Sequence, residues 1–102
     1  MPYKLRFVQR IDQARKDEFL VIENQFIQLE RDNPQMPQGT RYLPISGREP
    51  SNTLIWECRF DTLEELTAQL QALNADPGHE ELLRRQIPFM QDSYTEIYEE
   101  LS

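Results

Sequence analysis

Residues 52–73 read NTLIWECRFDTLEELTAQLQAL, and this run decides the fold. Leu54, Trp56, Cys58 and Phe60 alternate with Ile55, Glu57 and Arg59, the period of two expected of a strand with one buried face. Asp61 and Thr62 then turn the chain, after which Leu63, Leu66, Leu70 and Leu73 recur at helical spacing. At the junction stands a Thr-x-x-Glu capping box. The Thr62 hydroxyl can accept from the amide of Glu65 while the Glu65 carboxylate reaches back to the Thr62 amide, which satisfies two otherwise orphaned donors. A strand that steps straight into an amphipathic helix in the middle of a short chain implies a small α+β sandwich, but names no reaction.

Towards the N-terminus the same logic finds a first strand, with Tyr3, Leu5, Phe7 and Ile11 on one face and Lys4, Arg6, Val8 and Arg10 on the other. Asp12 stands at an N-cap position, and Phe19, Ile22, Phe26 and Leu29 form one stripe of a helix running from about Gln13 to Arg31. Asn33-Pro34 ends that helix, since proline disfavours a helical residue before it and donates no ladder bond. TRYLPIS, with Pro44, suits a short edge strand, and SGREPSN a hairpin loop. Beyond residue 73, Asn74 to Pro77 break the second helix and restart a short one, with Asp76 as cap and Pro77 at its first position. The chain closes on DSYTEIYEEL, where Thr95, Ile97 and Leu101 are expected to face the core and Tyr94, Glu96, Tyr98 and Glu100 to face away.

The elements therefore run β-α-β-β-α-β, with a short extra helix before the last strand. Such an order predicts a ferredoxin-like, four-stranded antiparallel sheet with two helices on one face. Leu5, Phe7, Leu54, Trp56, Cys58, Phe60, Ile97 and Leu101 are expected to meet Phe19, Ile22, Phe26, Leu66, Leu70 and Leu73. Residues 1–102 leave room for one domain, small enough for dimerisation to be expected. The opposite sheet face mixes Arg6, Glu57, Arg59, Glu96 and Tyr98, charges of both signs beside aromatic surface; it is either a solvent-facing sheet, which predicts a monomer, or, the reading we favour, the interface of a homodimer with these residues pairing the subunits.

Composition excludes more than it selects. A formal charge of -7 disfavours nucleic acid and anionic membranes as partners. The one cysteine can form no internal disulfide, no apolar run is long enough to span a bilayer, and MPYKLRF lacks the apolar segment of a signal peptide, so a cytoplasmic location is expected. With one histidine and one cysteine there is no metal-ligand cluster, and no glycine-rich phosphate loop or nucleophile triad occurs; no cofactor is called for.

The run Leu54 to Phe60, leading through Asp61, Thr62, Glu64 and Glu65 into the second helix and on to Asn74, Asp76, Pro77 and His79, resembles the dimeric α/β-barrel superfamily and, within it, the NIPSNAP-like branch. What the resemblance implies is two ferredoxin-like sheets paired into one barrel. It also implies kinship with antibiotic-biosynthesis and haem-degrading monooxygenases, which work in a pocket between sheet and helices. The haem-degrading pattern is an Asn on the first strand, a Trp on the third and a His near the second helix; Trp56 and His79 match the last two, while Phe7, Val8 and Gln9 offer no Asn.

On this basis Trp56, Tyr42 and Arg41 are candidates for a ligand pocket, Arg41, Tyr42 and Arg59 being able to orient an acidic or phenolic ligand, and His79 and Tyr94 are the candidate catalytic groups. Each has a plainer role: Trp56 as core packing, His79 as an exposed helix residue, and Cys58, between Trp56 and Phe60, as a small buried hydrophobe. Three functions follow. The chain is a small-molecule- or partner-binding homodimer, a cofactor-independent monooxygenase in which a polar side chain takes the proton of an activated aromatic substrate, or a haem protein with His79 as axial ligand.

Overall fold

The computed structural model describes residues 1–101. Strands β1 (Tyr3–Ile11), β2 (Thr40–Tyr42), β3 (Thr53–Phe60) and β4 (Met90–Glu99) form one antiparallel sheet in the order β2-β3-β1-β4. Helices α1 (Lys16–Asp32), α2 (Leu63–Ala75) and α3 (Pro77–Gln86) complete the expected α+β, ferredoxin-like order, the third being a full ten residues. A 3-10 turn at Gln13–Arg15, capped by Asp12 through the amide of Ala14, delivers the chain into α1. The Thr62 cap forms as read, with Glu65 N–H donating to the hydroxyl at 3.1 Å, an interaction worth about 1 kcal/mol. Asp76 caps α3 through the amide of His79 at 2.8 Å, with Pro77 at the first position.

Buried residues in β1 recur every third position, at Leu5, Val8 and Ile11, because this central strand is covered on both faces. Leu5 packs with Trp56, Phe60 and Leu66 of α2; Ile11 packs with Leu54 and Phe19 of α1. These two clusters bracket Phe7 and Gln9, which face the helices between them.

Three expectations need correction. Ile97 and Leu101 are not core residues: Ile97 is 47% exposed on the edge strand β4, and Leu101, 88% exposed, follows the end of that strand. The second strand is only Thr40–Tyr42, and Pro44 lies in the loop after it. The outer sheet face is not uniformly open, because residues 44–49 fold back beside Val8, Ile55 and Tyr94. Val8, Ile55 and Thr53 are consequently buried on the side read as solvent-facing or intersubunit. Glu49 holds the loop there, accepting from the Tyr94 hydroxyl at 2.5 Å and pairing with Arg10 at 3.7 Å. Gly47 makes the turn at φ 141°, a backbone region that residues with a Cβ rarely enter.

Candidate functional site

Between the two core clusters lies a cavity of about 180 Å³. The sheet contributes Phe7, Gln9, Trp56, Ser93 and Thr95, all at helix-facing register positions. Phe26 and Leu29 of α1, Leu73 of α2 and Leu83 of α3 supply the apolar roof. Trp56 stacks on Phe7, with centroids 4.9 Å apart and planes 15° from parallel.

One wall of the cavity is a buried charge cluster. Arg41 donates from Nε to Glu23 Oε2 at 2.5 Å and from Nη2 to Glu30 Oε2. Glu30 Oε1 accepts from the amide of Gly39 at 3.0 Å, and Glu23 Oε1 from Gln86 Nε2 at 2.9 Å. Burial pulls the Arg41 guanidinium down, but its bonds to Glu30 and Glu23 prevail and hold it above its ordinary range. Within the cluster two carboxylates face one guanidinium, a formal charge of -1 on a wall lined otherwise by neutral groups. Gln86 is fully buried and its carbonyl oxygen has no donor among the described residues.

His79 also lines the cavity, its ring tilted at 60° against Phe26 with centroids 5.2 Å apart. Burial lowers its pKa, and the charges of Asp76, Glu30 and Glu23 oppose that without overcoming it. The native state thus prefers neutral His79. Its contribution to stability is complete above the unfolded value near 6.5 and is lost as pH falls through the lower folded value. Denaturant titrations between pH 7 and pH 5 should therefore show wild type losing stability relative to His79→Phe; parallel curves would place the imidazole in solvent.

The sequence candidates divide between the two sheet faces. Arg41, Trp56 and His79 come together at the cavity. Tyr42 does not, because it pairs in register with Ile55 and so shares the outer face, where it is half exposed. Tyr94 borders the cavity by its backbone position, but its hydroxyl is on the far face with Glu49, whose hydrogen bond raises the Tyr94 pKa and makes the phenol a poorer base precursor. Arg41, engaged by two carboxylates, is not free to orient an acidic ligand, and Arg59 pairs with Glu100 at 2.9 Å on the outer face. Burial pushes the Cys58 thiol up, followed by the nearby Glu30 charge, which leaves it a packing residue. Arg6, Glu57, Glu96 and Tyr98 form one outer-face network within the chain, with Arg6 to Glu57 at 2.8 Å and to Glu96 at 3.2 Å. Among the described residues no three His, Cys, Asp or Glu side chains converge to hold a metal, and no helix is long and apolar enough to cross a membrane. Trp56 and His79 both border the cavity, but at about 180 Å³ it falls below the roughly 300 Å³ at which pockets for drug-sized ligands begin, so the residues present do not fit a haem.

Glu23, Glu30 and Gln86 were missed by the sequence reading. A signal for the first two exists: they follow Phe19 and Phe26 by four residues each, on the apolar stripe of α1.

A four-stranded antiparallel sheet with three helices and a cavity beneath them defines a ferredoxin-like α+β protein of the kind in which NIPSNAP domains and antibiotic-biosynthesis monooxygenases are built. An uncharacterized NIPSNAP domain protein from Burkholderia xenovorans superimposes with a TM-score of 0.77 at 22% identity, over 100% of this chain and 96% of that one. A NIPSNAP family protein from Agrobacterium tumefaciens gives 0.76 at 14% identity over 96% and 91%. An antibiotic biosynthesis monooxygenase gives 0.75 at 12% identity, over 98% and 99%. At these identities the likeness is one of fold. No protein-family model matches the sequence, and neither does any curated protein.

Proposed function

We propose that this chain is a NIPSNAP-like homodimeric small-molecule-binding protein whose ligand sits in the cavity between sheet and helices. The observation that carries the reading is the cavity itself, walled by Phe7, Phe26 and Trp56 and closed at one side by polar groups of which one, the Gln86 carbonyl, is unmet. Pockets that bind small molecules combine such apolar walls with a few placed polar atoms. A dry cavity of about 150 Å³ takes benzene, so a ligand with one ring is the appropriate size.

Trp56 is the only tryptophan, and its fluorescence reports directly on the cavity. Titration with one-ring alcohols and with hydroquinone should quench it saturably, and Leu73→Phe, which fills the cavity, should abolish the quenching. Quenching that is linear in probe, or unaffected by Leu73→Phe, would remove the cavity as a binding site.

A second reading is favoured by neutral His79 beside the aromatic wall, and by the monooxygenase among the fold's relatives. Here His79 takes the proton of an activated aromatic, and a water-poor pocket assists. The same titration in an oxygen electrode separates the two: dioxygen uptake above the protein-free rate, lost in His79→Ala, supports the monooxygenase, and saturable binding without uptake supports the binding protein.

The dimer rests on the outer side of the sheet. Ile45 is fully exposed there in the loop, with Leu43, Tyr42, Tyr94 and Tyr98 exposed nearby, an apolar surface that a second copy would cover. Sedimentation of wild type should give about twice 12.2 kDa at micromolar concentration, and Ile45→Asp should shift it towards the monomer by about tenfold or more in dissociation constant. A wild-type mass near 12.2 kDa would sink the dimer.

A further inference from the structure

We propose that the cavity selects a small organic cation, an ammonium group carried on a compact apolar or aromatic body, and rejects the corresponding carboxylate. This rests on the binding reading above and names the ligand's chemical class.

Charge is the first ground. Glu23 and Glu30 against Arg41 leave the cavity wall one negative charge in excess, and the guanidinium that would have to greet an anion is already bonded to both carboxylates. An incoming carboxylate would meet a wall of its own sign carried on buried side chains, where such repulsion is less screened than on an open surface. An ammonium would offset the excess.

Hydrogen-bonding capacity is an independent ground. Gln86 Nε2 donates to Glu23 Oε1 and lies 3.4 Å from the Phe19 carbonyl, so the amide's orientation is set by two acceptors. Its Oε1 is left buried with no donor among the described residues, an arrangement that is unfavourable unless something supplies one. A ligand N–H or O–H supplies it; a carboxylate cannot. The third ground is the aromatic lining beside the cluster, where the rings of Phe7, Phe26 and Trp56 offer surface of the kind that favours a cation over an anion.

The test uses three probes of one shape: benzylamine, benzyl alcohol and benzoate, each titrated against Trp56 fluorescence in 0.15 M salt to suppress attraction to the chain's overall charge. Benzylamine should bind at least tenfold more tightly than benzoate, with benzyl alcohol between them. Glu23→Gln, which neutralises the cluster while its amide oxygen still accepts from Arg41, should reduce the preference for benzylamine over benzoate severalfold. Benzoate binding as tightly as benzylamine, or a preference unchanged in Glu23→Gln, overturns the assignment while benzyl alcohol binding preserves the cavity as a site. Failure of all three probes to quench overturns the binding reading and this inference with it.

Discussion

Arg41→Met should destabilise the protein by about 3–5 kcal/mol, which for a chain of this length lowers the melting temperature by about 15 °C or more. The expectation comes from what the substitution leaves behind. Glu23 and Glu30 retain 8% and 12% side-chain exposure and lose the guanidinium that bridges them. Glu23 keeps a bond from Gln86 and Glu30 keeps one from the amide of Gly39, but neither partner carries charge. Two like charges then share a desolvated wall across the space vacated by the arginine. The cluster as a whole need not stabilise the fold, because removing paired charges from water costs roughly what their attraction returns. A concrete consequence follows: Arg41→Met combined with Glu23→Gln and Glu30→Gln should recover most of the loss, since the amides keep acceptors for Gln86 and Gly39 and no charge is stranded. Urea titration of the single and triple variants checks both statements. A single variant within about 1 kcal/mol of wild type would mean that water reaches the carboxylates freely.

That cluster also marks the limit of what could be read from the chain. The step from β3 into α2 is legible because every determinant is local: alternation in residues 54–60, the Thr62 hydroxyl three residues from the Glu65 amide, leucines at helical spacing. The Asp76-Pro77 restart is legible for the same reason. The cavity is not, because all four strands and all three helices contribute to it, and its polar wall depends on residues 18, 11 and 63 positions apart meeting after folding. Periodicity places Glu23 and Glu30 on the apolar stripe of α1 but cannot say that Arg41 arrives from β2 to meet them. Strand alternation likewise places Val8 and Ile55 outward correctly, yet their burial is decided by a loop whose path follows from Gly47 and from Glu49 reaching Tyr94. For β4 the error runs the other way. Ile97 is on the helix-facing side as alternation says, opposite Leu5, but the strand lies at the sheet edge and Ile97 stays 47% exposed there.

Gly39→Ala should also be disruptive, for a reason that involves no charge. A Cβ built at residue 39 would stand 1.8 Å from Trp56 Nε1 and 1.9 Å from Trp56 Cε2, well inside contact distance. Neither side can yield easily. The backbone at 39 is held by its amide's bond to Glu30, and the next two residues pair in register with Glu57 and Trp56. The indole is backed by Phe7 at 4.9 Å. Space remains only in the cavity, so the ring should be driven into it at a cost of about 1–3 kcal/mol or somewhat more, typical of overpacking. The same displacement should abolish probe binding and change the emission of Trp56, because the fluorophore itself would occupy the site. A smaller ring relieves the clash: Trp56→Phe alone should be destabilising, yet combined with Gly39→Ala it should cost less than the sum of the two, by about 1 kcal/mol or more. Strict additivity in that double-mutant cycle would show that the indole and the Gly39 backbone are not in contact, and would open the wall on which the cavity's shape depends.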